Sequence, residues 1–246
     1  MAWAAPKGWS SGNACTKGWE SSIPTGIPAL DAATGGVPRG AITEIIGAGS
    51  CGKTRLALKI AAGMQKRGGV AVYLDVEHGL DAEFARALGV DPDELLVARP
   101  GTGDEAQRMA ETLMQNRCAD LIVFDSIAAL SPGGAAEDVF AHSRMVSRML
   151  GQLEWRARMA NTALVLVNHL RARPSDVVGV PELGKGGWGV ALRSALRLRL
   201  ERYGGRRDRK GESILIRVVK NARGNAGAAV EWTPHYGAPG PETCPS

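Results

Sequence analysis

A glycine-rich segment of eight residues constrains the fold of this chain more than any other feature of its sequence. It reads Gly47-Ala48-Gly49-Ser50-Cys51-Gly52-Lys53-Thr54 and fits the pattern G-x-x-x-x-G-K-S/T of a phosphate-binding loop (P-loop) without a mismatch. It lies between a β-rich run at 41–46 and a stretch at 53–67 whose apolar residues recur at helical spacing. Glycines in such a turn let successive backbone N–H groups converge on phosphate oxygens, and the helix that follows adds the positive end of its dipole. The sequence therefore predicts a nucleotide-binding site.

Three side chains are candidates for contacts with the phosphates and with a metal ion. Lys53 places a positive charge at the β- and γ-phosphates, and the hydroxyl of Thr54 is a ligand type that Mg²⁺ accepts. Asp125 ends the apolar run 121–125, and a strand-end aspartate in P-loop folds completes the Mg²⁺ shell, usually through water. We therefore expect residues 47–54 to bind a nucleotide, and Thr54 and Asp125 to hold Mg²⁺.

Polar residues also follow two other predicted strands. Glu77 comes directly after a β-rich run, where a carboxylate can orient and activate an attacking water. Asp75 is the alternative candidate, or else a structural acid at the end of the strand. Asn168 and His169 close a buried strand on the side of the sheet where ligands bind in open α/β folds. His169 is therefore a candidate sensor that distinguishes ATP from ADP, the alternative being a histidine that caps the strand.

The spacing of apolar residues predicts an alternation of strands and helices, which is typical of an α/β fold with a mostly parallel sheet. The predicted strands are 41–46, 70–76, 95–98, 121–125 and 163–168, and the predicted helices are 53–67, 81–88, 104–116 and 141–160. A Gly- and Pro-rich loop at 171–189 precedes two alternating runs at 192–200 and 214–219. These runs predict an antiparallel extension of the sheet near the C-terminus. We therefore expect a doubly wound α/β domain with helices on both faces.

Composition divides the chain into three parts. Residues 1–22 are rich in Trp, Gly and Ser and predict a flexible arm, residues 23–232 hold the predicted core, and residues 233–246 predict a disordered tail. No apolar run approaches the roughly 20 residues that span a bilayer, and the N-terminus lacks a signal pattern. The four cysteines form no C-x-x-C pair, which disfavours structural zinc and is typical of a reducing compartment. We therefore expect a cytoplasmic protein without a membrane partner.

Positive charge is concentrated in one segment of the chain. The formal net charge is +5, whereas residues 171–223 alone hold fourteen Lys and Arg against five Asp and Glu. A basic segment of this kind is typical of a protein that binds a polyanion. A solvated, arginine-rich surface is the alternative interpretation, and charge alone does not distinguish the two.

Several of these segments, in this order, resemble the RecA/RadA family of strand-exchange recombinases. The similarity runs from about Ser22 to Trp232 and includes family-specific segments in addition to the P-loop. Those segments are 24–31, 36–40, 75–81, 88–91, 99–103, 123–130, 167–169, 181–182, 186–187 and 218–221. The resemblance implies a RecA-like P-loop ATPase core that uses ATP and Mg²⁺. It also implies that Glu77 is the catalytic base and that Lys53 acts beside it in the catalytic site.

The resemblance further implies that two mobile loops, at about 131–143 and 171–189, hold single-stranded DNA along the axis of a filament. The second loop lies in the basic segment, so the charge pattern and the resemblance agree. Basic side chains there are candidates for phosphate contacts, and two glycines would let the backbone approach the DNA closely. These candidates are Arg171, Arg173, Lys185, Gly186 and Gly187.

The sequence also departs from the family pattern. Bacterial RecA ends its switch strand with Asn-Gln, whereas this chain has Asn168-His169. The family's Lys-Asn-Lys, which reaches the γ-phosphate of the neighbouring protomer, here reads Lys220-Asn221-Ala222, and Arg223 is the candidate substitute for the second lysine. The similarity lacks counterparts of the family's N-terminal polymerisation element and C-terminal DNA-gathering domain. These departures predict a core that filaments poorly.

Two functions remain open on this reasoning. The first is an ATP-dependent protein of homologous recombination and DNA repair that binds single-stranded DNA as a homo-oligomer or filament, with DNA-stimulated hydrolysis switching its DNA affinity. The second is a non-recombinogenic paralogue, ImuA-like or RadB-like, that acts as an accessory protein or regulator of RecA or of a translesion polymerase. With either function, we expect the protein to act in DNA damage repair and the SOS response. A P-loop kinase for a small molecule is disfavoured, because no insertion for an acceptor pocket and lid is visible.

Overall fold

An eight-stranded sheet organises the part of the chain that the computed structural model describes, which is residues 22–132, 140–170, 184, 186–203, 213–224 and 226–234. The strands are β1 (Ser22–Ile23), β2 (Val37–Pro38), β3 (Ile42–Gly47), β4 (Ala71–Asp75), β5 (Leu96–Ala98), β6 (Leu121–Asp125), β7 (Ala163–His169), β8 (Ser194–Tyr203), β9 (Ser213–Asn221) and β10 (Ala229–Trp232). The helices are α1 (Pro28–Thr34), α2 (Lys53–Gln65), α3 (Ala82–Ala87), α4 (Gly103–Gln115), α5 (Ala141–Ala160) and α6 (Trp188–Arg193), with a 3-10 turn at Ile127–Ala129.

The main sheet has the strand order β10-β9-β8-β3-β7-β6-β4-β5. Every pairing from β8 to β5 is parallel, whereas β9 and β10 add two antiparallel strands at one edge. Strands β1 and β2 form a separate antiparallel pair. The structure therefore confirms the predicted fold class, an α/β domain with a mostly parallel central sheet and an antiparallel extension near the C-terminus.

The central strands are mostly apolar because both faces of the sheet are covered. All residues of β3, β4 and β6 are buried. One apolar core, which includes Leu56 and Ile60 of α2, lies on one face, and a second, which includes Met149 and Leu153 of α5, lies on the other. Successive residues of a strand serve opposite faces, so that Tyr73 belongs to the first core and Leu74 to the second. The parallel strands thus direct their carboxyl ends to one edge, which is where the P-loop lies.

Helix α6 differs from the sequence prediction, which placed a loop up to residue 189 and a strand from residue 192. Val190 and Ala191 are buried in this short helix, and a side chain at Gly189 would collide with Ser147 of α5. Tertiary packing against α5 therefore determines the conformation of this segment, because its local sequence carries no clear helical pattern. The sequence prediction also missed α1, the β1–β2 pair and β10.

The predicted terminal segments lie almost wholly outside the described residues. Of the arm at 1–22 only Ser22 is described, and of the tail at 233–246 only residues 233 and 234. Within the described ranges, no helix combines the length and the apolar character that crossing a bilayer requires.

A buried ion pair connects the strand that leads into the P-loop to both of its neighbours. Glu44 on β3 is 1% exposed, and its Oε2 accepts a hydrogen bond of 2.5 Å from Nε of Arg197 on β8. Its Oε1 accepts a hydrogen bond of 2.8 Å from Nδ2 of Asn168 on β7. Burial of two charges is tolerated when each is paired and hydrogen-bonded. Glu44 therefore holds together three adjacent strands, the middle of which leads into the P-loop.

We expect Glu44→Ala to lower the free energy of unfolding by about 3 kcal/mol, because it leaves the buried Arg197 guanidinium without its carboxylate. Urea denaturation of the purified protein measures this loss. The control is the double variant Glu44→Leu/Arg197→Met, which removes both charges and should be more stable than the single variant. If the free energy of unfolding of the single variant is within about 1 kcal/mol of the wild-type value, the Glu44–Arg197 pair does not stabilise the fold as proposed.

Candidate nucleotide-binding site

The P-loop connects β3 to α2 and needs glycine at both of its ends. A side chain at Gly47 would collide with Sγ of Cys51 and with the carbonyl oxygen of Leu200. Gly52 caps α2 with a φ of 97°, a conformation that L side chains rarely adopt, and a side chain there would collide with Ile214. Close packing and backbone geometry thus explain both glycines of the motif in this chain.

Lys53 begins α2, and its side chain lies across the loop. The residue is 4% exposed, and its Nζ donates a hydrogen bond of 2.6 Å to the carbonyl oxygen of Ala48. A buried ammonium group that contacts a neutral carbonyl retains donors for an anion. Beside it, burial raises the pKa of the Cys51 thiol, although the charge of Lys53 opposes that shift. The arrangement suits a ligand that brings negative charge into the loop.

Thr54 and Asp125 meet at the carboxyl edge of the sheet. The Thr54 hydroxyl donates a hydrogen bond of 2.7 Å to Oδ2 of Asp125, and the hydroxyl of Tyr73 donates one of 2.5 Å to the same oxygen. Burial raises the pKa of the Asp125 carboxyl, whereas these two hydrogen bonds lower it. Hydroxyl and carboxylate oxygens are the hard ligands that Mg²⁺ prefers. In the part of the chain that the structure describes, no group of three or more His, Cys, Asp or Glu is arranged to hold a metal ion. The oxygens of Thr54 and Asp125 would fit a Mg²⁺ ion whose other ligands are phosphates and water.

Glu77 lies beside the ends of β6 and β7. Its Oε1 accepts a hydrogen bond from the Ser126 hydroxyl and lies 3.2 Å from Nε2 of His169. The side chain of Glu77 is 44% exposed and that of His169 is 31% exposed. The carboxylate is therefore held in place by two strand ends and still reaches solvent.

Asp75, the alternative candidate for the base, has other partners. Its carboxylate accepts hydrogen bonds from the backbone N–H groups of Gly79 and Leu80 and from Nε of Arg99, at 3.0, 3.3 and 3.2 Å. The side chain is 3% exposed. Asp75 thus orders the loop that carries Glu77, which agrees with its interpretation as a structural acid.

A cavity of about 320 Å³ brings together most of the predicted nucleotide site, although Gly47, Ala48, Gly49 and Asn168 do not line it. Its lining residues are Ser50, Cys51, Gly52, Lys53, Thr54, Arg55, Glu77, Phe84, Asp125, His169 and Arg202. Sequence reasoning missed Arg55, Phe84 and Arg202, together with Tyr73 and Ser126. The guanidinium carbon of Arg55 lies 5.8 Å from the centroid of the Phe84 ring. The position of Arg55 directly after the P-loop could have indicated that it lies at the site. Phe84 and Arg202 are distant from the P-loop in sequence and reach the cavity only in the tertiary fold.

The candidate DNA contacts fall partly outside the described residues. Arg171, Arg173 and Lys185 are not described, whereas Gly186 and Gly187 precede α6 with φ angles of 99° and 72°. The base of this loop is formed by a bridge between Leu170 and Gly184. A side chain at Gly184 would collide with Nδ2 of Asn168. The loop therefore begins and ends against the strand that carries Asn168 and His169.

The two candidates for contact with a neighbouring protomer do not line the cavity. Lys220 on β9 donates hydrogen bonds to the carbonyl oxygens of Ala191 and Leu192, at 3.2 and 2.8 Å, and so stabilises the end of α6. Arg223 follows in the next turn and is exposed. The structure therefore associates Lys220 with the helix that follows the second loop.

Comparisons with known proteins identify the family of this chain. The model of the RecA N-terminal domain family matches residues 13–237. Protein RecA of Aquifex pyrophilus is 42% identical over 211 residues, which is 81% of this chain and 61% of that protein. Protein RecA of Mesorhizobium japonicum is 37% identical over 227 residues, which is 88% of this chain and 62% of that protein. This chain thus spans about three fifths of the length of these relatives. Because the family model covers most of its residues, the chain belongs to the RecA family.

Proposed function

We propose that this chain binds ATP with Mg²⁺, hydrolyses it when it is bound to single-stranded DNA, and acts in homologous recombination or DNA repair. One observation carries the proposal, namely that Lys53, Glu77 and Asp125 line the same cavity at the carboxyl edge of the sheet. A phosphate cradle, a metal-binding carboxylate and a solvent-accessible carboxylate are the parts that hydrolysis of a triphosphate requires.

In this proposal the P-loop holds the triphosphate by backbone N–H groups, and Lys53 turns its ammonium group from the Ala48 carbonyl to the phosphates. Thr54 and Asp125 would hold Mg²⁺, which when bound neutralises charge on the phosphate oxygens. The cavity volume of about 320 Å³ lies within the range of small-molecule sites. Arg55 and Phe84 form the part of the wall that offers an aromatic face and a cation.

Glu77 is the proposed general base. Among the described residues, its contacts with Ser126 and His169 both involve Oε1, which leaves Oε2 for a water molecule. The two contacts fix the direction of the carboxylate, and the base must lie within hydrogen-bond reach of the water whose proton it removes. Water activation at Oε2 is thus compatible with the fold around Glu77.

The position of the second loop supports the proposed coupling to DNA. That loop starts after Leu170 and returns at Gly184, so its base contacts the strand end that carries His169. DNA that orders the loop would move His169 relative to Glu77, and nucleotide state would act on the loop by the same route. The basic segment 171–223 holds fourteen Lys and Arg, and among them Arg171, Arg173 and Lys185 are the proposed contacts with the phosphates of a polynucleotide.

We expect single-stranded DNA to raise the rate of ATP hydrolysis at least several-fold and to bind with a strong dependence on salt. The triple variant Arg171→Ala/Arg173→Ala/Lys185→Ala should weaken DNA binding and reduce the salt slope by about one for each phosphate contact that is lost. Steady-state ATPase assays and fluorescence anisotropy of labelled oligonucleotides measure both effects. Equal turnover with and without DNA would contradict the proposed coupling.

A second candidate function is an accessory role toward RecA or a translesion polymerase. It is favoured by Ala222, which stands where the family has its second trans-acting lysine, and by Lys220, which contacts α6 of its own chain. Both features weaken the expected contact with a neighbouring γ-phosphate. A strand-exchange assay, combined with a pull-down of RecA, distinguishes the two candidates, because only the first predicts exchange by the chain alone.

A further inference from the structure

A phenol from the apolar core reaches the carboxylate that is proposed to hold the metal ion. Tyr73 lies on β4 and is 1% exposed, with its ring among the side chains of the first core. Its hydroxyl donates a hydrogen bond of 2.5 Å to Oδ2 of Asp125 on the adjacent strand β6. In the parallel register Tyr73 is opposite Val123, so the phenol extends two residues along β6 to reach Asp125. The hydroxyl therefore belongs to the nucleotide site although the ring belongs to the core.

The Asp125 carboxylate accepts two hydrogen bonds on one of its oxygens. Both Thr54 Oγ1 and the Tyr73 hydroxyl donate to Oδ2, and within the described ranges these are its side-chain hydrogen bonds. A carboxylate oxygen offers two lone-pair sites, so two donors occupy Oδ2 fully. Oδ1 is then the oxygen available to a metal ion or to a water molecule in its shell. The two donors thereby distinguish the two carboxylate oxygens, since Oδ2 accepts the hydrogen bonds and Oδ1 is left for the metal ion or its water.

We propose that Tyr73 is a positioning residue that fixes the orientation of the Asp125 carboxylate toward the Mg²⁺ ion of the bound nucleotide. This inference rests on the proposed function of the site as an ATP·Mg²⁺ site. Thr54 alone leaves the carboxylate free to turn about its last side-chain bond, because a single hydroxyl can donate its hydrogen bond to either carboxylate oxygen. The Tyr73 phenol removes that freedom, because the residue belongs to β4 and its ring is packed in the first core. Loss of a hydrogen-bond partner of a metal-ligating group typically weakens metal binding by 10–100-fold.

The test is Tyr73→Phe, which removes a single oxygen atom and keeps the ring in the core. Isothermal titration of the full chain with ADP at a series of Mg²⁺ concentrations gives the Mg²⁺ concentration at which half of the metal-dependent gain in affinity is reached. We expect that midpoint to rise about tenfold in the variant, with ADP affinity in EDTA unchanged. Binding of Mn²⁺ to the ADP complex, followed by electron paramagnetic resonance, should weaken in parallel. The matched control is Tyr203→Phe, which makes the same chemical change at a residue that is 54% exposed.

Thermal melting separates positioning from a purely structural role. A structural role would lower the melting temperature equally in EDTA and in Mg²⁺·ADP, whereas positioning reduces the extra stabilisation that Mg²⁺ adds to the ADP complex. An unchanged Mg²⁺ midpoint in Tyr73→Phe overturns the inference, even if the variant is less stable. Wild-type protein that binds ADP equally well with and without Mg²⁺ overturns it too. Wild-type protein that binds no adenine nucleotide in either condition overturns the proposed function itself, and the inference with it.

Discussion

Lys53→Ala is expected to abolish detectable ATP binding and to reduce ATP hydrolysis by at least about 1000-fold. The variant loses the only positively charged side chain of the P-loop, which belongs to the first residue of α2. The ammonium group lies within the loop, 2.6 Å from the Ala48 carbonyl, and in the proposed complex it turns toward a phosphate oxygen. Calorimetric titration with an ATP analogue and a steady-state phosphate-release assay measure the two losses.

Lys66→Ala is the matched control for this prediction. Lys66 follows the end of the same helix and is exposed, so its removal changes the net charge equally without touching the cavity. We expect the control to bind and hydrolyse ATP as the wild type does. Circular dichroism and thermal melting show whether Lys53→Ala is folded. A folded Lys53→Ala protein with wild-type turnover would place the phosphates elsewhere.

The predictable part of the site consists of residues whose place in the fold follows from local sequence. The P-loop is one continuous motif, and Asp125 and His169 each end an apolar run. Because parallel strands all end at the same edge of the sheet, these residues are expected to lie close together. Helix α5 was predicted with its observed bounds because its apolar residues repeat over many turns. Long periodic segments and short motifs with fixed geometry carry their structural meaning in the sequence itself.

The unpredicted part depends on contacts between strands that are distant in the chain. Tyr73 looks like an ordinary residue of a buried strand, and only the pairing of β4 with β6 brings its hydroxyl to Asp125. Glu44 likewise sits in an apolar strand, and its partners Asn168 and Arg197 come from the strands on either side. One sequence does not give the lateral order of parallel strands, so these polar contacts could not be predicted. Helix α6 was also missed because its conformation depends on a tertiary contact, namely its packing against α5.

Glu77→Gln should separate nucleotide binding from hydrolysis. The amide keeps the shape of the side chain and an oxygen that accepts the Ser126 hydrogen bond, but it cannot take a proton from water. We therefore expect ATP affinity close to the wild-type value and a fall in the rate of hydrolysis of about 10²–10⁴-fold, both with and without DNA. Single-turnover measurements of the bound nucleotide distinguish slow chemistry from slow product release.

Glu83→Gln is the matched control, because Glu83 lies on the exposed side of α3 and undergoes the same loss of charge six positions along the chain. That variant should hydrolyse ATP at the wild-type rate. Asp75→Asn tests the alternative base, and we expect it to loosen the loop at Gly79 and Leu80 and lower the melting temperature. If Glu77→Gln retained most of the wild-type rate while Asp75→Asn lost it without unfolding, the roles of the two carboxylates would be reversed. The hydrogen bonds of Asp75 to its own loop argue against that exchange, since a carboxylate that is 3% exposed has little room for a reacting water.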